Sequence, residues 1–339
     1  MAQGVCQSGI WQPCPRYLCN PFLRAFFASL RPVAKDFHRF DADPNAGQAS
    51  LGRQTRPIAR RLASLPISMN SDLAPVTVVV PCFRCAATLE RAVASVAAQT
   101  WRPAELVLVD DCSGDDTLAL LWSIQTRYGD WVKVVALPVN AGAAGARNAG
   151  WQMATQDLVA FLDSDDAWHP QKIEIQCAYM QSHPDVALCG HLCRQLVPSP
   201  SPAPWWPVGA QSAVQTVTLT DLLLRHGFVT PSVMLKRKIA MRFAEGVRHM
   251  EDHRLWVDIV GAPLLTVKLL VELVAVYKPV YGAAGLSADM WRMERAELEN
   301  YRHFHGDGKI SYVSMRLLQV YSLAKYLRRL VIVHVLRHN

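Results

Sequence analysis

The first sustained apolar signal is the run Val76-Thr-Val-Val-Val-Pro81, β-branched and without polar alternation. A strand wetted on one side alternates, so this run predicts a strand covered on both faces, as in a parallel sheet. Residues Ala87 to Gln99 then place Leu89, Val93 and Val96 at helical spacing, with Thr88 at the capping position. The buried pattern returns at Glu105 to Val109 and stops on Asp110 and Asp111. A helix over about 116 to 128, a strand at Val132 to Leu137, a helix starting near Gly145 and a strand at Leu158 to Leu162 continue the alternation. This order predicts an α/β fold: a mostly parallel twisted sheet flanked by helices, with ligands at the carboxyl ends of its strands.

Outside that unit the pattern is weaker. Residues 1–72 show no sustained period and read as an appendage, with Met69 a candidate translation start just before the first strand. The proline-rich stretch 198–209 marks a loop, and its Trp205 and Trp206 suit either stacking on a sugar ring or packing of the loop. From about residue 311, Leu317, Val320, Ala324, Leu327 and Val331 form one helical stripe, with Arg316, Lys325, Arg328 and Arg329 elsewhere. A packed terminal helix and a basic helix on a membrane surface both fit that pattern.

With 339 residues, 51% hydrophobic and 19% charged, the chain has the composition of a globular protein. The net charge of +7 is spread out, which argues against nucleic acid and suits a phosphate-bearing substrate or an anionic membrane surface. Nine cysteines, an odd number set in apolar surroundings, read as buried thiols of a reducing cytosol. Cys82 and Cys85 form a Cys-x-x-Cys without a second pair, which argues against zinc. Lys268 and Glu272 interrupt the most apolar window, 255–282, below the ~18 apolar residues of a membrane span. The amino terminus carries no clean signal peptide, so the expected location is cytoplasmic, with peripheral contact at the inner membrane face as the tail's second reading.

Four clusters carry chemistry. Phe161-Leu-Asp-Ser-Asp-Asp-Ala-Trp168 sets Asp163, Asp165 and Asp166 directly after a buried strand. Carboxylates so close repel unless a cation lies among them, and Mg²⁺ or Mn²⁺ takes one or two of them plus phosphate oxygens. Val109-Asp-Asp-Cys-Ser-Gly-Asp-Asp-Thr117 places Asp110 and Asp111 where a nucleobase or ribose can be held, with Ser113 or Asp115 capping the next helix. Asn140 to Gly150 is a glycine-rich turn running into a helix, where Gly142, the Arg147 guanidinium and Asn148 suit a diphosphate. In His249-Met-Glu-Asp-His-Arg-Leu-Trp256, Glu251 and Asp252 open a helical stretch.

Taken in order, Val-Val-Pro-x-Phe, Val-Asp-Asp-x-Ser, Asn-x-Gly-x-x-x-Ala-Arg-Asn, Phe-Leu-Asp-Ser-Asp-Asp-x-Trp and Glu-Asp before a Trp resemble the family 2 glycosyltransferases of GT-A fold. The resemblance covers about residues 75–285. It implies that Pro81 and Phe83 line the nucleotide pocket, that Asp110 holds the base, and that Asp163 and Asp165 hold the diphosphate through the metal. Asp252 is then the general base that deprotonates an acceptor hydroxyl, with inversion at the anomeric carbon. It also implies a nucleotide-sugar half at 73–185 and an acceptor half at 186–285; the tail at 286–339 lies beyond it and reads as helical from its own stripe. The donor is a nucleoside-diphosphate sugar, and the acceptor a saccharide or lipid-linked saccharide of cell-surface polysaccharide or glycolipid synthesis. Phe83-Arg84 departs from the family's usual Tyr-Asn, which unsettles the base contact. The Gln-x-x-Arg-Trp pattern of processive synthases is missing, which favours transfer of one or a few sugars.

Three other readings compete. Gly142 and Gly145, with Tyr321-Ser-Leu-Ala-Lys325, imitate an NAD(P)-dependent short-chain oxidoreductase, but its glycine fingerprint belongs after the first strand. A non-catalytic binding protein on the same fold leaves the joint presence of Asp163, Asp165 and Asp252 unexplained. A nucleotidyltransferase shares the metal logic but gives Glu251-Asp252 no task.

Overall fold

The computed structural model describes residues 73–196, 205–208, 213–225, 227–262, 264–277 and 289–338. The expectations for residues 1–72, Met69 included, lie outside them.

The first four strands are β1 (Ala74–Cys82), β2 (Pro103–Asp110), β3 (Val132–Ala136) and β4 (Leu158–Phe161). They pair in parallel in the order β3-β2-β1-β4, with Val78 opposite Leu106, Leu108 opposite Val134 and Val78 opposite Ala160. Helices α1 (Leu89–Ala97), α2 (Thr117–Tyr128) and α3 (Gly142–Met153) connect them. Beyond β4 come β5 (Ala167–Trp168), β6 (Val186–Gln195), β7 (Val214–Thr216), β8 (Met234–Lys236) and β9 (Leu265–Val276). The sheet continues β4-β8-β6-β9-β5, with β7 also on β9; here only β6 and β9 run parallel, and the other pairings are antiparallel. The remaining helices are α4 (Lys172–Ser182), α5 (Leu219–Leu224), α6 (Glu251–Gly261), α7 (Met290–Gly306) and α8 (Tyr312–His338).

The unbroken apolar runs have the expected cause. In a strand, successive side chains point to opposite faces. Val76, Val78 and Val80 of β1 join a core with Leu89, Val93 and Leu121 on one face. Val79, with Val107 and Val109 of β2, joins a second core with Trp151, Trp256, Tyr301 and Phe304 on the other.

Details differ from the reading of the pattern. Helix α3 begins at Gly142, because glycine alone adopts its φ of 74° without strain. Thr88 caps nothing: its hydroxyl donates to the Cys85 carbonyl at 3.3 Å. Asp115 does serve the start of α2, accepting from Thr117 N at 3.0 Å. The six described cysteines are all free. Trp206 packs: its indole N–H donates to the Glu272 carbonyl at 2.8 Å and Arg194 stacks on its ring. No helix among the described residues is long and apolar enough to cross a membrane.

One polar residue ties the parallel strands together. Glu105 of β2 accepts from Thr77 at 2.5 Å, from Lys133 at 2.7 Å and from the Thr155 amide at 3.0 Å. Burial alone would raise this carboxyl, but Lys133, Thr155 and Thr77 outweigh it and hold the pKa at about 2. Its folded-state pKa is therefore depressed, so its stabilisation is present above the unfolded value near 4.3 and is lost as pH falls toward about 2. Glu105→Gln should cost on the order of 2 kcal/mol at pH 7 and flatten the acid limb of a urea-unfolding pH series between about pH 5 and 2. An unchanged acid limb in that variant would exclude Glu105 as the tie.

Candidate active site

Parallel pairing sends the carboxyl ends of β1, β2 and β4 to one edge of the sheet. The chains stay in step beyond the strands: Asp111 N donates to the Cys82 carbonyl at 2.8 Å and Leu162 N to the Val79 carbonyl at 3.0 Å. At this edge lies a cleft of about 850 Å³. Three non-glycine residues with left-handed backbone border it or its loops: Arg84 (φ 49°), Cys112 (56°) and Met250 (59°). Each such residue costs about 1–3 kcal/mol, so fixed contacts must hold it. For Arg84 these are hydrogen bonds from its amide and Nε to Ser113 Oγ and Ser113 O, both 3.1 Å.

Helix α3 reaches the cleft because it lies directly on the sheet. A Cβ at Gly150 would sit 2.3 Å from Val79 Cγ1, so only glycine permits the approach. Three residues earlier, the buried Arg147 points into the cleft. Its Nη2 donates to Asp163 Oδ1 at 2.7 Å and its Nη1 to Glu251 Oε1 at 2.9 Å. One guanidinium thus joins α3, the end of β4 and the start of α6. Burial opposes its charge, but Asp163 and Glu251 outweigh burial and hold it firmly protonated. Glu251 is pushed above the carboxylate range, first by burial and then by the neighbouring Asp252 charge, with Arg147 restraining the rise.

Asp252 follows on the first turn of α6. Its Oδ2 accepts from Thr230 Oγ1 at 3.1 Å and its Oδ1 from His253 N at 2.7 Å. Thr230 opens a short 3₁₀ turn, Thr230–Ser232, fastened by Trp168 Nε1 to Pro231 O at 2.8 Å and Gln176 Nε2 to Ser232 O at 2.9 Å.

Of the residues expected at the site, Pro81, Phe83, Asp111, Gly142, Arg147, Asp163, Asp165 and Asp252 line the cleft. Asp110 and Asn148 do not. Asp110 is 3% exposed and turns back on its own loop, accepting from Ser113 Oγ at 2.5 Å and Ser113 N at 3.3 Å. Ser113 therefore serves Asp110 and not the cap of α2. Asn148 faces away and pairs twice with the Phe243 backbone, at 2.9 and 3.1 Å. Asp111 clamps the glycine-rich turn, accepting from Asn140 Nδ2 at 2.9 Å and Ala141 N at 2.6 Å. Burial raises its carboxyl, offset in part by the Ala141 and Gly142 amides. Thr230, Arg248, Glu297 and Arg329 also line the cleft. No motif announced them, and the last two arrive from the tail.

The acidic cluster suits a hard divalent ion. Oxygens of Asp163, Asp165 and Asp166 lie within 4.8 Å of one another. All three border the cleft; Asp166 is 1% exposed and accepts from Tyr277 N at 3.2 Å, while Asp163 and Asp165 are more open. Two carboxylates beside space for phosphate oxygens and water match the donor set that Mg²⁺ or Mn²⁺ takes. A second acidic group, Asp258, His303 and Asp307, already holds Lys309, at 3.1 Å from Asp258 and 2.8 Å from Asp307.

The profile of the family described as glycosyl transferase family 2 matches residues 77–240. Over 184 residues the chain is 31% identical to UDP-Glc:alpha-D-GlcNAc-diphosphoundecaprenol beta-1,3-glucosyltransferase WfgD of Escherichia coli, covering 54% of this chain and 69% of that one. It is 39% identical over 105 residues to the putative teichuronic acid biosynthesis glycosyltransferase TuaG of Bacillus subtilis, covering 31% of this chain and 41% of that one. Among solved structures it resembles S. aureus TarS 1-349 in complex with UDP-GlcNAc, with TM-score 0.55 at 18% identity over 73% of this chain and 71% of that one. It also resembles the mannosyltransferase PcManGT from Pyrobaculum calidifontis in complex with GDP-Man and Mn²⁺, with TM-score 0.54 at 17% identity over 83% and 86%. Both likenesses establish the fold.

Arg147→Met would leave Asp163 and Glu251 partly buried without their cation, and breaking such a pair from one side costs about 3–5 kcal/mol. Urea unfolding should show that loss, and Glu251→Gln added to it should recover part of it. A variant as stable as the parent would mean that the guanidinium contributes nothing to holding the site together.

Proposed function

This chain belongs to glycosyl transferase family 2 and is a glycosyltransferase; from that premise we propose that it moves a sugar from a nucleoside-diphosphate donor to an acceptor hydroxyl, with metal assistance and inversion. One observation carries the reading: Asp163 and Asp165, suited to a diphosphate and its metal, share one cleft with Asp252. Arg147 ties the two sides together through Asp163 and Glu251.

Residues 73–185 hold the donor, with Pro81, Phe83 and Asp111 at the nucleotide and Arg147 at the diphosphate. Residues 186–285 supply the acceptor side, and the tail adds Glu297 and Arg329 to the cleft wall. Asp163 and Asp165 would hold a divalent ion, which would supply positive charge against the negative charge of the departing diphosphate. Asp252 takes the proton from the acceptor hydroxyl as that oxygen attacks the anomeric carbon on the face opposite the leaving group. Such a displacement inverts the carbon. The hydrogen bonds from Thr230 and His253 N fix the carboxylate for this task.

The names of the relatives support an acceptor class. WfgD acts on a diphosphoundecaprenol-linked sugar and TuaG is assigned to teichuronic acid synthesis. By analogy the acceptor here is a saccharide or lipid-linked saccharide of a cell-surface polymer or glycolipid. The oxidoreductase reading loses its support at Lys325, whose ammonium is engaged by Glu297 at 2.9 Å.

Asp252→Asn should lower kcat by about 10²–10⁴ while leaving the donor Kd within about twofold. Unchanged turnover removes Asp252 as the base. Thr230→Val should lower kcat by a smaller factor with KM little changed, and Thr230→Ser should restore it; an unchanged kcat makes Thr230 a packing residue. Thermal-shift measurements with UDP, GDP, CDP, dTDP and NAD, with and without Mn²⁺, should show metal-dependent stabilisation by one diphosphate that Asp165→Ala abolishes. A metal-independent shift with NAD alone would replace the transfer reading by the redox one.

A further inference from the structure

Helix α8 buries Met315 and Leu318 near its start, but further along its polarity is inverted. Its inward side presents Ser322, Lys325 and Arg329 to carboxylates of α7 that are themselves buried. Ser322 Oγ donates to Glu294 Oε1 at 2.7 Å, Arg329 Nη2 to Glu294 Oε2 at 3.0 Å and Lys325 Nζ to Glu297 Oε1 at 2.9 Å. Glu294 is 0% and Glu297 2% exposed. The outward side carries Val313, Val320, Leu323, Leu327, Val331 and Ile332, with Val320 66%, Leu327 60% and Val331 62% exposed. Among the described residues nothing covers this side. Met315 and Leu318 already supply the inward apolar contact of α8, so the outward stripe is a second apolar side, shaped for another apolar medium.

Charge selects the medium. From Gly308 to Asn339 the sequence contains no Asp or Glu, but it holds Lys309, Arg316, Lys325, Arg328, Arg329 and Arg337. Arg316 and Arg328 are exposed on the same helix as the stripe. Pairing two copies stripe to stripe would set acid-free basic helices side by side and repel. An anionic bilayer answers both features, offering acyl chains to the stripe and phosphates to the arginines.

We propose that α8 docks in the plane of an anionic lipid surface, with Val320, Leu327 and Val331 immersed and Arg316 and Arg328 among the headgroups. The docking stands apart from the transfer chemistry, yet it bears on it. Glu297 and Arg329, on the inner side of the same helix pair, line the cleft. A docked helix therefore sets the cleft beside the bilayer, where an acceptor with a lipid tail can enter without leaving the membrane.

The test is sedimentation of the full chain with vesicles of phosphatidylcholine alone or mixed with phosphatidylglycerol, at low and high salt. The chain should partition into the anionic vesicles at least about tenfold more strongly than into neutral ones, and less so as salt rises. Val320→Glu with Leu327→Glu should lower that partition at least about tenfold, with an unchanged melting curve and unchanged diphosphate-induced thermal shift. Should that pair disturb the melt, Arg316→Gln with Arg328→Gln decides, by erasing the preference for anionic vesicles. Absence of binding by the parent chain, or equal binding by the variants, overturns the proposal. So does light scattering that shows a dimer which the glutamate pair converts to a monomer, since the stripe is then covered by a second copy.

Discussion

The site depends on one buried guanidinium. Arg147 lies between Asp163 and Glu251, with side-chain exposures of 6%, 21% and 10% for the three. Two carboxylates at that depth cannot both remain charged without a cation, and a cation at that depth needs both. The three segments that meet there come from distant parts of the chain: a helix after β3, the end of β4 and the start of α6. Each can take its place only when the other two are present. Strain in the bordering loops is sustained in the same way, since left-handed Met250 immediately precedes the helix that Glu251 anchors.

This arrangement separates two functions of acidic residues that look alike in the sequence. Asp110, Asp111, Asp163, Asp165, Asp166, Glu251 and Asp252 all follow strands or open helices. Asp110 spends its oxygens on Ser113 of its own loop, whereas the buried Asp166 holds the Tyr277 amide just after β9 while bordering the cleft. Asp111 is intermediate, clamping the glycine-rich turn while bordering the cleft. Asp163 and Asp165 border the open space, and Asp252 is presented to it by Thr230 and a backbone amide. Local donors decide the difference, and spacing alone does not encode them.

That explains what was legible. The parallel half could be read because burial on both faces writes an unbroken β-branched run, and because strand ends share an edge. The second half could not, since β5 and β7 are only two and three residues long and β6, β8 and β9 mix parallel with antiparallel pairing. Pro81, Phe83, Arg147, Asp163 and Asp252 could be placed from motifs tied to strand ends and helix starts. Asp110 and Asn148 lie off the cleft lining because the partners that hold them, Ser113 and the Phe243 backbone, leave no trace in the spacing. Thr230 is fixed by Trp168 and Gln176 from α4 and its approach, contacts more than fifty residues apart that only the fold creates. Even the stripe on α8 was visible as a pattern, but which side faced the protein was not.

The tail joins these arguments. A helix can be attached through its apolar side, leaving charges in water, or through its charges, leaving apolar side chains exposed. The first is cheaper in isolation, because burying Glu294 and Glu297 requires cations to neutralise them. Helix α8 uses both, Met315 and Leu318 near its start and the ion pairs to Glu294 and Glu297 further on, and the latter keep the stripe of its later turns outward. Since Glu297 and Arg329 also form part of the cleft wall, the same contacts that turn the stripe outward fix its position relative to the site. The ion pairs thus set both the side that the stripe faces and the part of the cleft wall that α7 and α8 supply.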